Sequence, residues 1–136
     1  MSELPVRVLI AEDDDAFAAL VRATLDSDPR FETVGRAASG DEAVSLVGEL
    51  HPELVVMDIS MPSCDGIEAT RMITELDGGQ NVVIYTASDE YDDLVRAEDA
   101  GATGFLNKDA VPLPELADAL YVLHTNHEHA YPDPDA

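Results

Sequence analysis

Val6-Arg7-Val8-Leu9-Ile10-Ala11-Glu12-Asp13-Asp14-Asp15 is a short apolar run that breaks abruptly into acid. Interrupted only by Arg7, it is too short for an amphipathic helix and reads as a strand, Val6–Ala11, buried on both faces. Three later runs end in the same way. Leu54–Met57 leads into Asp58, residues 82–85 lead into Thr86, and residues 103–106 lead through Asn107 into Lys108. A fifth run, 32–38, is less apolar and reads as an edge strand. Between these runs the apolar period changes to that of a helix. Phe17, Leu20, Val21 and Leu25 mark a helix over 16–27, with Pro29 as its stop. Ser39-Gly40-Asp41-Glu42 has the Ser-x-x-Glu capping-box pattern and opens a helix that His51-Pro52 closes. Ile67, Met72, Ile73 and Leu76 follow the 62–66 loop, in a helix ending at Gly78-Gly79. Residues 89–100 form a helix stopped by Gly101. A last helix begins near Pro114 and carries Leu116, Ala119, Leu120 and Leu123 along one buried face.

Five strand–helix repeats with nearly all-apolar strands predict an α/β fold, a parallel sheet with helices on both sides. In such open sheets the ligand crevice lies outside the carboxyl ends of the strands, where the strand order reverses. The acidic cluster, Asp58, Thr86 and Lys108 all fall at carboxyl ends. A lysine, a group of carboxylates and a hydroxyl in that crevice suit the handling of a phosphoryl group with a metal ion.

Composition narrows the function further. Lys108 is the only lysine, and six arginines are the remaining cations against 29 Asp and Glu, for a net charge of −22. Phosphates would be repelled and no basic patch exists to release counterions, so direct DNA or RNA binding is not expected. Acid spread over nearly every helix suits solubility in salt. At 136 residues the chain is one domain, read as 1–125, with an acidic His- and Pro-containing tail or linker stub at 126–136. No apolar run approaches the roughly 18 residues of a membrane span. The N-terminus has no basic flank leading into an apolar stretch, and the lone Cys64 fits a reducing compartment, so a cytoplasmic location is expected. His124, His127 and His129 form only a loose tract without a framing carboxylate or cysteine, a weak compositional hint of metal binding.

The stretches 8–14, 57–66, 85–88 and 101–109 resemble the receiver domain of two-component response regulators, and the likeness runs from about Val6 to Leu123. Asp58-Ile59-Ser60-Met61-Pro62-Ser63-Cys64-Asp65-Gly66, with Lys108 at the right distance, is its most specific part. The resemblance implies a flavodoxin-like three-layer α/β/α sandwich with strand order 2-1-3-4-5 and five helices. It implies that Asp58 accepts a phosphoryl group from a histidine kinase or phosphotransfer protein. Mg²⁺ (or Mn²⁺) would be held by Asp13, by Glu12 through water, by Asp58 and by the Ser60 carbonyl. Ser60, Thr86, Ala87 and Lys108 would bind the phosphoryl oxygens, with Lys108 paired to Asp58 at rest. Thr86 and Phe105 would form the switch read out on the surface of helix 4, strand 5 and helix 5, and a homodimer could form on phosphorylation. One residue departs from the pattern. Many relatives place proline after the lysine, where this chain has Asp109, as in the branch that precedes helix-turn-helix output domains. The protein is therefore expected to be a stand-alone receiver or the receiver part of a transcriptional regulator, acting as a switch rather than a turnover enzyme.

Two other readings compete. An aspartate-nucleophile phosphatase of the haloacid dehalogenase type would use Asp13 as nucleophile and Asp15 as acid–base, leaving the 58–66 motif without a purpose. A phosphorylation-independent receiver-like module would not need Glu12, Asp13, Asp58, Thr86 and Lys108 intact.

Overall fold

The N-terminal apolar run becomes an interior strand. In the computed structural model, which describes residues 4–76 and 79–125, β1 (Val6–Ala11) pairs in parallel with β2 (Phe31–Ala37) and β3 (Leu54–Met57). β4 (Asn81–Thr86) and β5 (Gly104–Asn107) continue the sheet in the order β2-β1-β3-β4-β5. The reversal of order between β1 and β3 is the topological switch point. β2 lies at the edge, as its weaker apolar pattern predicts, and its Glu32 is exposed.

Alternation along the interior strands feeds two cores. Leu9, Ala11, Val55, Met57, Val82 and Ile84 point to one face, where α2 (Gly40–Leu50), α3 (Gly66–Leu76) and α4 (Tyr91–Asp99) pack. Val8, Ile10, Leu54, Val56, Val83 and Tyr85 point to the other, covered by α1 (Asp15–Asp26) and α5 (Leu113–Thr125). Burial on both faces is why these strands read as unbroken apolar runs. Asp14 caps α1, accepting from Phe17 N–H at 3.1 Å. Ser39 caps α2, accepting from Glu42 N–H at 3.1 Å, and Glu42 returns to Ala38 N–H at 2.7 Å, one residue earlier than the usual reciprocal bond. His51 ends α2 in the left-handed region at φ 49°.

Several side chains at apolar spacing face out instead. Leu20 is 53% exposed, Met72 38% and Leu76 72%. Small residues take the inner positions in their place, Ala18 on α1 and Ala69 with Thr70 on α3. Short side chains let those helices sit close to the sheet, and a larger neighbour at the margin of the stripe is left in solvent. Cys64 lies in the β3–α3 loop, two residues ahead of α3. Thr86 is the last residue of β4 rather than the first beyond it. Residues 126–136 and Gly78 lie outside the described residues.

Two glycines hold that β3–α3 loop by close approach. A Cβ on Gly66 would stand 1.9 Å from the Asp58 carbonyl oxygen, and one on Gly40 would stand 2.0 Å from the Cys64 carbonyl oxygen. The loop is thus gripped between the start of α2 and the end of β3, with backbone on both sides and no flexible side chain to yield. Gly66→Ala and Gly40→Ala should each destabilise the protein by about 1–3 kcal/mol through overpacking. Gly48, exposed within α2 with nothing near its Cβ position, should behave oppositely, Gly48→Ala stabilising by about 0.5–1 kcal/mol. Urea-unfolding midpoints of the three variants check both signs.

Candidate functional site

Each polar side chain at the switch point is placed by the strand that delivers it. Backbone pairing continues past the strand ends, with Glu12 N–H donating to Ala37 O at 2.9 Å, Asp58 N–H to Ala11 O at 3.0 Å and Lys108 N–H to Thr86 O at 2.8 Å. The side chains following β1, β3 and β5 therefore converge. Glu12 is 4% exposed, Asp58 8% and Thr86 2%, whereas Asp13 faces solvent. Arg36 of β2 reinforces the β1 end by donating to the Glu12 carbonyl at 2.9 and 2.7 Å.

Lys108 Nζ donates to Glu12 Oε1 at 2.8 Å and to Asp58 Oδ2 at 3.4 Å. Asp58 was the expected resting partner, but the shorter bond goes to Glu12. The reason is local. Each acid accepts one backbone N–H, Asp58 Oδ1 from Ile59 at 2.8 Å and Glu12 Oε2 from Asp14 at 3.1 Å, but Glu12 is the more enclosed and has the greater need of a counter-charge. Burial pushes the Glu12 carboxyl above its ordinary pKa. The Lys108 and Asp14 hydrogen bonds oppose that rise, and the Asp58 charge adds to it.

Carboxylate oxygens of Glu12, Asp13 and Asp58 lie within 4.8 Å of one another. Like charges about 4 Å apart repel by about 4 kcal/mol at an effective dielectric of 20. One ammonium among three carboxylates leaves a surplus of negative charge, and all the donors are hard oxygens. Mg²⁺, which takes a few carboxylates and keeps several waters, fits this set.

Asp58 opens into a cleft of about 450 Å³ lined also by Ser60, Thr86, Ala87 and Lys108, by Ser88, Asp89 and Glu90 ahead of α4, and by Asp93 of its first turn. Thr86 Oγ1 accepts a long bond from Ser88 N–H at 3.4 Å. Phe105 is not among the residues lining this cleft. It is half-buried against the first core and lines a separate apolar groove of about 410 Å³ with Tyr91, Leu94, Leu106 and Val111. Sequence reasoning passed over Ser88 and Asp93, whose side chains hydrogen-bond to each other. The signal lay in the register, since Ser88 stands two residues past Thr86 at the same strand end. Arg96 was missed as well; it reaches from α4 to Asp65 of the β3–α3 loop at 3.5 Å and links that loop to the α4 surface.

Asp15, the acid–base group of the phosphatase alternative, is 91% exposed in its side chain and pairs with Arg36 at 2.9 Å. It stands in the first turn of α1. His124 Nδ1 lies 2.9 Å from Asn81 Nδ2, while His127 and His129 lie outside the described residues. Among the described residues, no helix is long and apolar enough to cross a membrane.

A family model described as "Response regulator receiver domain" matches residues 8–121. The chain is 37% identical over 114 residues to the chemotaxis protein CheY of Halobacterium salinarum, covering 84% of this chain and 92% of that protein. It is 44% identical over 123 residues to the transcriptional regulatory protein PdtaR of Mycobacterium tuberculosis, covering 84% of this chain but only 57% of that longer protein. Among solved structures, the receiver domain of the response regulator NarL from Mycobacterium tuberculosis superposes with a TM-score of 0.86 at 27% identity, covering 91% of this chain and 99% of that one.

Removing the ammonium isolates its effect on the acids. Lys108→Met should lower stability at neutral pH by about 1–2 kcal/mol, a loss discounted for the partial exposure of the cluster. Without Lys108 the folded-state pKa of Glu12 rises further above its unfolded value. The ionised form then carries the penalty, so the deficit is full above the folded pKa and shrinks as pH falls through it. Urea unfolding of both proteins at neutral and acidic pH measures that convergence.

Proposed function

This chain belongs to the response regulator receiver domain family, and from that we propose that Asp58 is its phosphoacceptor and Glu12, Asp13, Thr86 and Lys108 its working partners. The observation that carries the assignment is the convergence of three carboxylates and one ammonium at the sheet's switch point, with Asp58 opening into the cleft.

Asp58 needs no general base, because a carboxylate oxygen carries no proton that must leave as it attacks phosphorus. An Asp58 oxygen forms the bond to phosphorus as the phosphorus–nitrogen bond of a phosphohistidine breaks, and the departing imidazole keeps the electron pair and takes up a proton. The Ile59 N–H holds Oδ1 in place and leaves Oδ2, on the Lys108 side, as the attacking atom. The obstacle is charge, since an anion approaches an anion. Lys108 meets it by moving from Glu12 and Asp58 to a phosphoryl oxygen, a transfer suited to a point charge on a flexible stem. Mg²⁺ at the acidic cluster would supply the remaining positive charge. Glu12, Asp13, Asp58 and the Ser60 carbonyl would hold it, and Ser60, Thr86 and Ala87 border the volume where the phosphoryl oxygens come to rest.

The readout follows from the same event. Thr86 gains a strong acceptor once the phosphoryl group is present, and its movement frees space for Phe105 to turn inward from the α4–β5 groove. That would reshape the groove lined by Tyr91, Leu94 and Phe105. Asp89 and Glu90 line it too, and Asp92, Asp93, Glu98 and Asp99 crowd α4, so the partner recognising this surface is basic. Arg96, bound to Asp93 on α4 and Asp65 beside the phosphoacceptor loop, gives a second link between the cleft and that surface. The protein works as a cytoplasmic switch, free-standing or as the receiver part of a longer transcriptional regulator. A histidine kinase or phosphotransfer protein charges it.

Phosphoramidate with Mg²⁺ should label the wild-type protein once, at Asp58, and intact-mass spectrometry reads the added phosphoryl group. Asp58→Asn should abolish labelling, and label persisting in that variant would refute the assignment. Asp13→Asn should slow the reaction by about 100-fold or more, the scale of losing one preorganised stabiliser of transition-state charge. Lys108→Arg should keep the charge yet slow it by about tenfold, because a planar fork cannot pass between the same acceptors. A second measurement addresses the readout. Thr86→Ala should still be labelled, while the amide shifts of residues 91–94 and 104–107 that accompany labelling in the wild type should largely vanish.

A further inference from the structure

Lys108 Nζ lies 4.2 Å from the centroid of the Phe17 ring, over its face. We propose that Phe17 is a positioning residue for Lys108, holding the ammonium against Glu12 and Asp58 so that it meets the phosphoryl group from one direction. The proposal rests on the role assigned to Lys108 above.

An ammonium has three N–H donors on a stem of four rotatable carbons. Glu12 takes one donor at 2.8 Å and Asp58 a second, weakly, at 3.4 Å. The remaining side of the cation meets the Phe17 ring. A π face attracts a cation but offers no lone pair to rival a phosphoryl oxygen. It also displaces water that would otherwise solvate Nζ and draw the side chain outward. An additional carboxylate in that place would hold the lysine too well, and an aliphatic side chain would not hold it at all.

Phe17 is itself held at its backbone and at its ring. Phe17 N–H donates to the capping carboxylate of Asp14 at 3.1 Å, which sets its place in the first turn of α1. The ring packs on Tyr85 of β4, with centroids 6.0 Å apart and planes tilted by 35°. Tyr85 in turn donates its hydroxyl to Val111 O, in the turn before α5, at 2.6 Å. Lys108 is anchored to the same strand by its backbone bond to Thr86 O at 2.8 Å. Ring and ammonium are thus both referred to β4. The competing account is that Phe17 merely fills space between α1 and β4, since it packs at the margin of the second core. A leucine would serve that purpose.

The composition of the chain supplies a direct probe. Because Lys108 is the only lysine, protein grown with ¹³C-lysine shows a single ε-methylene signal. A ring lying over it should shift those protons upfield of an exposed lysine. Phe17→Leu should abolish that shift and slow Mg²⁺-dependent labelling of Asp58 by phosphoramidate about three- to tenfold, the rate equivalent of one partly desolvated cation–π contact. Phe17→Tyr, which keeps the ring, should retain both the shift and the rate. An ε-methylene signal at the exposed position in the wild type would overturn the proposal, as would a Phe17→Leu protein labelled at the wild-type rate. If the wild-type protein itself takes no label, the phosphoacceptor assignment fails instead, and the Lys108 signal alone decides whether the ring positions the lysine.

Discussion

The structure depends on a surplus of carboxylate brought together at one point and balanced by one ammonium. Glu12, Asp13 and Asp58 arrive from the ends of β1 and β3, and Lys108 arrives from β5, two strands away. Such a cluster works against folding, because burying charge costs several kcal/mol per ion unless each finds a partner. It persists because the two interior strands that carry it are locked together along their length. Backbone pairing runs past the strand ends, with Asp58 bonded back to β1 and Glu12 to β2, so neither acid can withdraw without breaking the sheet. The sheet therefore holds the site in a state that is under-neutralised. An under-neutralised site is one in which an arriving cation, and then a phosphoryl group, has much to change.

Transmission from that site uses close packing more than long side chains. The β3–α3 loop is wedged between Gly40 and Gly66, where carbonyl oxygens occupy the space a Cβ would need. It therefore has little room to absorb a displacement within itself. Arg96 ties the loop to α4 through Asp65 and Asp93, and Thr86 stands between the cleft and the β5 residues that line the neighbouring groove. A change at Asp58 has two physical routes to one surface, a charged tether and a packed strand end. A coupling of about 1–3 kcal/mol, the usual range for linked sites, is within reach of either route.

The fold was legible in the sequence where burial is two-sided. β1, β3 and β4 are apolar almost without interruption because both faces are covered, and their ends are marked by a change to acid or hydroxyl. Helices were legible as elements but less so as faces. Leu20, Met72 and Leu76 stand at apolar spacing yet lie in solvent, since Ala18, Ala69 and Thr70 let the helices approach the sheet too closely for a larger side chain to be drawn in. The members of the site were legible from their positions at strand ends. Their pairing was not, because a linear sequence does not say which acid is the more enclosed. Lys108 bonds Glu12 more closely than Asp58 for that reason. Arg96 and Phe17 were illegible as site residues, since each acts across a helix–loop or helix–strand contact that appears only in three dimensions.

Cations in so acidic a chain are scarce, and their chemistry divides by task. Arginine is used where a planar fork can bind several fixed oxygens. Arg7 donates to the carbonyls of Leu50 and His51 at the end of α2. Arg30 joins Asp28 to Asp118 of α5 and lies over the Tyr121 ring, and its hydrogen bond holds the Asp28 carboxyl below the usual range. Arg36 spans the Glu12 carbonyl and Asp15. These are permanent tethers, for which a rigid multidentate donor is the better choice. The proposed function asks for the reverse at Lys108, a cation that keeps its charge while changing its acceptor. A guanidinium locked to two acids could not release one of them without losing a matched pair of bonds. An ammonium can swing by rotating a single stem, and a neighbouring ring can guide it without binding it. In the role proposed for it, the chain's one lysine is the cation that moves.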